Sequence, residues 1–428
     1  VAENRVAENR VPENRVAENR RHDTGVVRHG RLKRSNPVTT LLSLLGICLA
    51  VILVSTAAVS ALAAWQFTSE VSANAIDITG TDETPPPVNI GSFEAGFNVL
   101  LVGVDNDAAQ GVAYGERDTT LNDVNILVHV SADHTDAVVV SIPRDLIVAQ
   151  PSCTNPDTGQ QFAAESAAPI NQAMGRGGLP CVVDTVEGLT GLDIPFAGLV
   201  SFRGVVAMSD AVGGVPICLT EPIDDPLAGL SLPQGISVVS GETALGFLRS
   251  RHGVGDGSDL SRISSQQLYL ASLMRTVKGN GTLTDLPRLL FLANTAARNI
   301  QLSKSLAYPE TMVSMALALR DIDLDRVVFV QYPGDTEDPA YPGKVVPIRS
   351  LADAMFAKIA ADEPFSLTPE KPQGPVVADP PADGGAGAVP PDAALPDAAP
   401  PEPTPVPEVI DGLTGRTAAD ESCARAAG

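Results

Sequence analysis

The spacing of apolar positions changes along the chain, and each change marks a different kind of element. Residues 38–65 form a continuous apolar run inside the uncharged span 35–69, longer than the roughly 20 residues a helix needs to cross a bilayer. From residue 97 onward, short apolar runs bounded by Gly, Asp and Pro predict strands at 97–103, 124–130 and 137–142. Residues 133–136 supply the turn of a hairpin between the last two. Spacing is then mixed: helical at 182–189 and 202–211, strand-like at 196–200 and 215–219. Helices at 261–277, 286–297 and 308–318, a strand at 326–331 and a helix at 351–359 complete the pattern, which is that of an α/β or α+β domain.

The flanking segments are polar or biased. Residues 1–20 are four pentads, VAENR VAENR VPENR VAENR, read as disordered and as translated sequence upstream of the true start. Arg20, Arg21, Arg28, Arg31, Lys33 and Arg34 precede the apolar run and Trp65 ends it, which predicts a single-pass anchor with a cytoplasmic N-terminus and an extracytoplasmic domain. A cleaved signal peptide ending at Ala61-Leu62-Ala63 is the rival, and the apolar stretch is too long for it. The expected organisation is therefore a basic, low-complexity segment (1–37), a transmembrane helix (38–65), a spacer with three consecutive prolines (66–95), a globular domain (96–362) and a Pro/Ala/Asp-rich disordered tail with a terminal Cys segment (363–428).

Composition narrows the function. The formal net charge is -22 and aromatic residues make up 4% of the chain, which argues against nucleic acid as a partner and against aromatic stacking platforms. Of five cysteines, Cys48 lies in the apolar run, leaving Cys153, Cys181, Cys218 and Cys423 as an even set suited to an oxidising compartment. Three connectivities are open. Cys181 with Cys218 is the expected pair, since both lie in the same mixed segment, and Cys423 is a candidate to return to the domain. No CxxC spacing occurs, so a structural zinc site is not expected.

Against this acidic background, residues 246–270 (GFLRSRHGVGDGSDLSRISSQQLYL) concentrate Arg249, Arg251 and Arg262. Ser258 is placed to cap a helix on which Asp259, Arg262 and Gln266 share a face. Arg249 and Arg251 would share a face if their segment is extended, and forked guanidiniums match phosphate oxygens. The bland reading is a surface ion-pair network with Asp256 or Asp259. The glycines of GVGDG have no nucleotide-binding spacing and read as a flexible turn. His252 reads as incidental. Acids near predicted strand ends, Asp105 and Asp123, lie where an α/β sheet presents a site; their bland reading is a turn acid and a strand cap.

Taken jointly, FNVLLVGVD, LNDVNILVHVS, VVVSIPRD, INQA, GGVPICL and the LRSRH to GSDLSRISSQQ element resemble the catalytic domain of the LytR-CpsA-Psr family over about 97–331. The resemblance implies an extracytoplasmic α/β domain, a central mixed β-sheet flanked by helices, on a single-pass anchor in the cell membrane. It implies transfer of a glycopolymer from a polyprenyl-pyrophosphate carrier to peptidoglycan. Asp105 and Asp123 match the carboxylates that hold Mg2+, for which Mn2+ can substitute. Arg144, Arg249, Arg251, Arg262 and Gln266 match the residues that grip the pyrophosphate. Asp259 matches the acid that positions these arginines or assists the acceptor.

Two positions depart from the family's pattern: Leu121 and Ser265 stand where it usually has arginine, and Arg117 is a candidate substitute for the first. The Ala/Pro/Asp-rich composition suggests a high-GC actinobacterium, for which arabinogalactan is the cargo by family analogy. The alternatives are a non-catalytic envelope protein that binds lipid-linked glycans or regulates at the membrane, and a polyprenyl-pyrophosphate phosphatase.

Overall fold

The computed structural model describes residues 37–79, 96–106, 120–156, 158–251, 253, 257–367, 376–378 and 407–425. The pentad repeats, Arg117, His252 and Asp256 lie outside them. The chain divides into two compact units, Val1–Ala63 and Ala64–Gly428. Helix α1 (Pro37–Ala73) begins in the first unit, and its stretch Pro37–Thr56 is long and apolar enough to cross a membrane. Leu41 and Leu45 there are each 69% exposed.

The second unit is built on a seven-stranded mixed sheet. In chain order we label β1 (Phe97–Val104), β2 (Asn122–Val130), β3 (Ala137–Ile142), β4 (Phe196–Val200), β5 (Val215–Leu219), β6 (Gly235–Val239), β7 (Ile300–Leu302), β8 (Val327–Gln331), β9 (Val376–Ala378), β10 (Gly415–Thr417) and β11 (Ser422–Ala424). The central sheet runs β7-β4-β1-β2-β3-β8-β10, with β1/β4 and β3/β8 parallel and its other pairs antiparallel. The β2/β3 hairpin forms as the sequence predicts. A second sheet, β6-β5-β11-β9, stands beside it.

Two apolar layers cover the central sheet, because its strands alternate side chains to opposite faces. On one face Leu100, Val102, Leu127, Val140 and Val330 pack against α2 (Ala173–Thr190) and α8 (Arg349–Ala360). On the other, Phe97, Val139 and Phe329 meet α5 (Asp259–Gly279) and α7 (Pro309–Ala318). Helices α3 (Phe202–Val212), α4 (Gly241–Arg249) and α6 (Leu286–Asn299) complete this second layer.

Three expectations are corrected. The pairing Cys181–Cys218 does not form. The bonds are Cys153–Cys181 and Cys218–Cys423, with Cα separations of 5.8 and 4.5 Å, because Cys218 lies on β5 directly beside β11, which carries Cys423. The terminal segment with Cys423 returns to the domain, as offered from sequence: β10 adds an edge strand to the central sheet and β11 joins the second sheet. The beginning of the spacer is docked, Ile76 N–H donating to Leu302 O at 2.9 Å and Lys304 meeting Asp77 at 3.0 Å. Arg249 is not extended; it closes α4, a helix the sequence reading passed over. Gly246 inside α4 interrupts the apolar pattern but lets the helix approach Ala228 O, which a Cβ there would meet at 3.1 Å.

Candidate functional site

One end of the central sheet opens into a cavity of about 570 Å³ between the strands and α3, α4 and α5. Its walls divide by chemistry. Leu101, Ile126, Val205, Met208, Leu245 and Leu273 are among the residues of an apolar chamber. Asp105, Asp123, Arg144, Arg249, Arg251, Arg262 and Gln266 supply its charged and amide groups, so the structure gathers seven of the eight sequence-selected residues into one lining. Asp259, the eighth, lies alongside in a small adjoining recess with Asp123, Arg144, Arg262 and Gln266.

Each side chain is placed by a specific device. Leu101, Gly103 and Asp105 follow the two-residue alternation of β1 and its continuation, so Asp105 arrives on the cavity side at 2% exposure. Gly103 has no alternative, since a Cβ would sit 2.9 Å from Val124 Cβ. Asp123 is delivered by a β-bulge: Gly103 pairs with Val124 and Val104 with Asn122, leaving Asp123 as the extra residue. Asn122, wholly buried, anchors that bulge. Its amide donates to Asn125 Oδ1 at 2.7 Å and to Ile170 O at 3.2 Å, and its Oδ1 accepts from Met174 N at 3.2 Å.

Ser258 caps α5 as the sequence predicts, its side chain accepting from Ser261 N. Asp259 then sits at the centre of the arginines, with Oδ1 at 2.7 Å from Arg262 Nη2, 3.3 Å from Arg144 Nε and 3.9 Å from Arg251 Nη2. The Asp259 carboxylate is thus shared among three guanidiniums. Arg144 also donates to Asp123 Oδ1 at 2.8 Å, and Arg262 to the Asp123 carbonyl at 3.0 Å. Burial works against the charge on Arg144, but Asp123, Asp259 and Asp145 outweigh it and raise its pKa. For Arg262, burial dominates and lowers the pKa; Asp259 and Asp123 oppose that, while Arg251 and Arg144 add to it. Gln266 donates to Leu248 O at 3.3 Å, tying α5 to α4.

Asp105 and Asp123 are a donor set of hard oxygens. Among the described residues no group of three or more His, Cys, Asp or Glu could hold a metal. Two carboxylates fit Mg2+, which takes one or two and completes its shell with phosphate oxygens and water. Ser265 is 1% exposed and donates to Ser261 O at 3.2 Å, turned away from the cavity.

Sequence reasoning missed Asp225 and Ser250, which hold the turn between Arg249 and Arg251. Ser250 is fully buried and donates to Asp225 Oδ2 at 2.7 Å; the same carboxylate accepts from Leu227 N at 3.1 Å and Ala228 N at 3.2 Å. Burial tends to raise the Asp225 pKa. The Ser250 hydroxyl and the N–H groups of Ala228, Gly253 and Leu227 overcome it, so the group titrates below the usual aspartate range. With the folded pKa below the unfolded one, Asp225 contributes stability above its unfolded value of about 4, and this is lost as pH falls through the folded value. Melting temperatures from pH 7 to pH 3 should therefore fall more steeply for the native protein than for Asp225→Asn. Parallel curves would remove Asp225 from the account.

The cavity of this α/β domain thus sets an apolar chamber beside arginines and carboxylates. A model described as the LytR_cpsA_psr family matches residues 63–348. The chain belongs to that family. Cell wall biosynthesis protein LcpA of Corynebacterium glutamicum is 30% identical over 261 residues, 55% of this chain and 49% of that protein. Polyisoprenyl-teichoic acid–peptidoglycan teichoic acid transferase TagU of Oceanobacillus iheyensis is 29% identical over 210 residues, 48% of this chain and 60% of that protein. The chain spans about half the length of the curated relatives it matches. Among solved structures, Bacillus subtilis TagV is similar at 19% identity with a TM-score of 0.47, covering 63% of this chain and 97% of that one.

Proposed function

We propose that this protein is an Mg2+-dependent phosphotransferase that moves a glycopolymer from a polyprenyl-pyrophosphate carrier to a hydroxyl of peptidoglycan. The observation that carries the reading is a single cavity lined both by an apolar chamber and by Arg144, Arg249, Arg251 and Arg262. A polyprenyl tail suits the first part and a pyrophosphate the second. Family membership and the similarity to TagU, a teichoic acid–peptidoglycan transferase, support the same reaction class. Arabinogalactan remains the proposed cargo by family analogy, since nothing in the cavity selects a sugar. The arginines before the apolar helix favour a cytoplasmic N-terminus and a domain outside, where two disulfides would persist.

In this mechanism the arginines bind and align the pyrophosphate, and Asp259 holds Arg144, Arg251 and Arg262 in register. The acceptor hydroxyl oxygen bonds to the phosphorus nearer the sugar, its proton is released, and the bond from that phosphorus to the polyprenyl phosphate breaks. Asp105 and Asp123 would hold Mg2+, which when bound neutralises charge on the phosphate oxygens. Charge neutralisation and alignment are the main demands of phosphoryl transfer, so no covalent nucleophile is needed.

The test is transfer and phosphate release from a lipid-linked pyrophosphate, with and without Mg2+, beside Asp123→Ala. Dependence on the metal and a loss of about 10²-fold or more in the variant are expected. Release without transfer to an added glycan acceptor would make the protein a phosphatase. Binding without release would make it the non-catalytic binder.

A further inference from the structure

We infer that Phe202 is a positioning residue for the anion site: its ring is the platform that fixes the plane of the Arg249 guanidinium. The inference rests on the reading of Arg249 as a pyrophosphate ligand. Arg249 Cζ lies 4.3 Å from the centroid of the Phe202 ring, and both residues line the cavity. This is the distance of a cation stacked over an aromatic face.

The two side chains are brought together by backbone fixed on both sides. Phe202 is the first residue of α3, directly after β4 and the N-cap Ser201, which is 7% exposed and accepts from Gly204 N at 3.3 Å. Gly204 presses the first turn of α3 against Asn299, whose carbonyl a Cβ at that position would meet at 2.7 Å. The start of α3 therefore has little freedom to shift. Arg249 ends α4, and the next residue, Ser250, is locked to Asp225. The ring and the guanidinium are thus delivered to one another by a helix N-terminus and a helix C-terminus that are each pinned.

Stacking differs in kind from the ion pairs around it. Arg144 and Arg262 are oriented through their N–H edges, by Asp123 and Asp259. A ring contacts the face of the guanidinium and itself engages no N–H, so what it constrains is the plane of the fork. A long Arg side chain otherwise surrenders rotamer freedom on binding, and prior stacking reduces that cost. Phe202 so acts through Arg249, at the joint between the apolar chamber and the charged part of the cavity.

The probe is inorganic pyrophosphate, which has no tail and does not report on the chamber wall, titrated calorimetrically into the full-length protein. Phe202→Leu keeps an apolar wall and removes the π face; it should weaken binding about tenfold, whereas Phe202→Tyr should bind as the native protein does. In the double variant with Arg249→Ala, Phe202→Leu should add nothing to the loss from Arg249→Ala alone. Ring-current shifts of the Arg249 side-chain NMR signals should be present in the native and Tyr forms and absent in the Leu form. Additive losses, or unchanged binding in Phe202→Leu, overturn the inference. Native protein that does not bind pyrophosphate overturns the proposed function instead, and the NMR shift alone then decides whether the ring orients Arg249.

Discussion

Arg262→Ala should lower the rate of glycopolymer transfer about a thousandfold, the size of loss seen when a charge-stabilising donor or arginine is removed from a phosphoryl- or acyl-transfer site. Three features concentrate the effect on this residue. Its side chain is only 7% exposed, so its charge acts in a low dielectric. It holds Asp259 at 2.7 Å and the Asp123 carbonyl at 3.0 Å, linking the arginine cluster to the bulged strand. Burial and the neighbouring Arg251 and Arg144 work against its protonation, yet a guanidinium remains charged at any working pH. A cation held under those conditions gains most when a dianionic group arrives.

Arg262→Lys separates charge from geometry. It keeps the cation, loses the planar fork, and should recover only part of the rate. Single-turnover rates, donor KM and melting temperature should be measured on both variants. If Arg262→Ala transfers at the native rate, the arginine cluster is structural and the proposed mechanism fails. If rate and melting temperature fall together in the Ala form while the Lys form is native in both, charge alone matters and the fork argument fails.

Several strands and the α5 face of the candidate site were legible because their signals are local. Strands β3, β4 and β5 fall on the predicted runs, and the cap Ser258 with Asp259, Arg262 and Gln266 follows from helical spacing alone. The site residues themselves came from motif resemblance, and the cavity collects them. What was not legible depends on contacts between distant segments. Asn122 reads as an ordinary strand residue until its amide is seen to reach Ile170 and Met174. Asp225 and Ser250 are 25 residues apart with no shared pattern. Phe202 reads as a routine apolar position on α3, and only the packing of α3 on α4 sets its ring beside Arg249. The order of the cysteines misled because the partner of Cys218 comes after a Pro-rich stretch that resembles a free tail.

Opening Cys218–Cys423 should destabilise the domain by about 5 kcal/mol by the chain-entropy relation, since the bond closes a loop with a sequence separation of 205 residues. The same relation gives about 3.5 kcal/mol for Cys153–Cys181, separated by 28. The larger loss should also reach the site, because the segment held by Cys423 lies along the helix that carries Arg262 and Gln266. Arg275 of α5 donates to Ala418 O at 2.8 Å and to Asp420 O at 3.0 Å, and Arg416 donates to Ser422 Oγ at 2.6 Å. The guanidinium of Arg416 is pushed down to about 10, chiefly by burial, with Asp420 opposing and Arg275 adding to the shift. A buried cation of this kind is tolerated only while the segment stays closed over it. The Cys218→Ser/Cys423→Ser double variant should therefore melt about 10 °C lower, expose 407–425 to protease and lose transfer activity at temperatures where the native protein is intact. An unchanged melting temperature would mean that the pairing of β10 and β11 holds the segment without the bond. Loss of stability with full activity at low temperature would mean that α5 keeps its register without the segment.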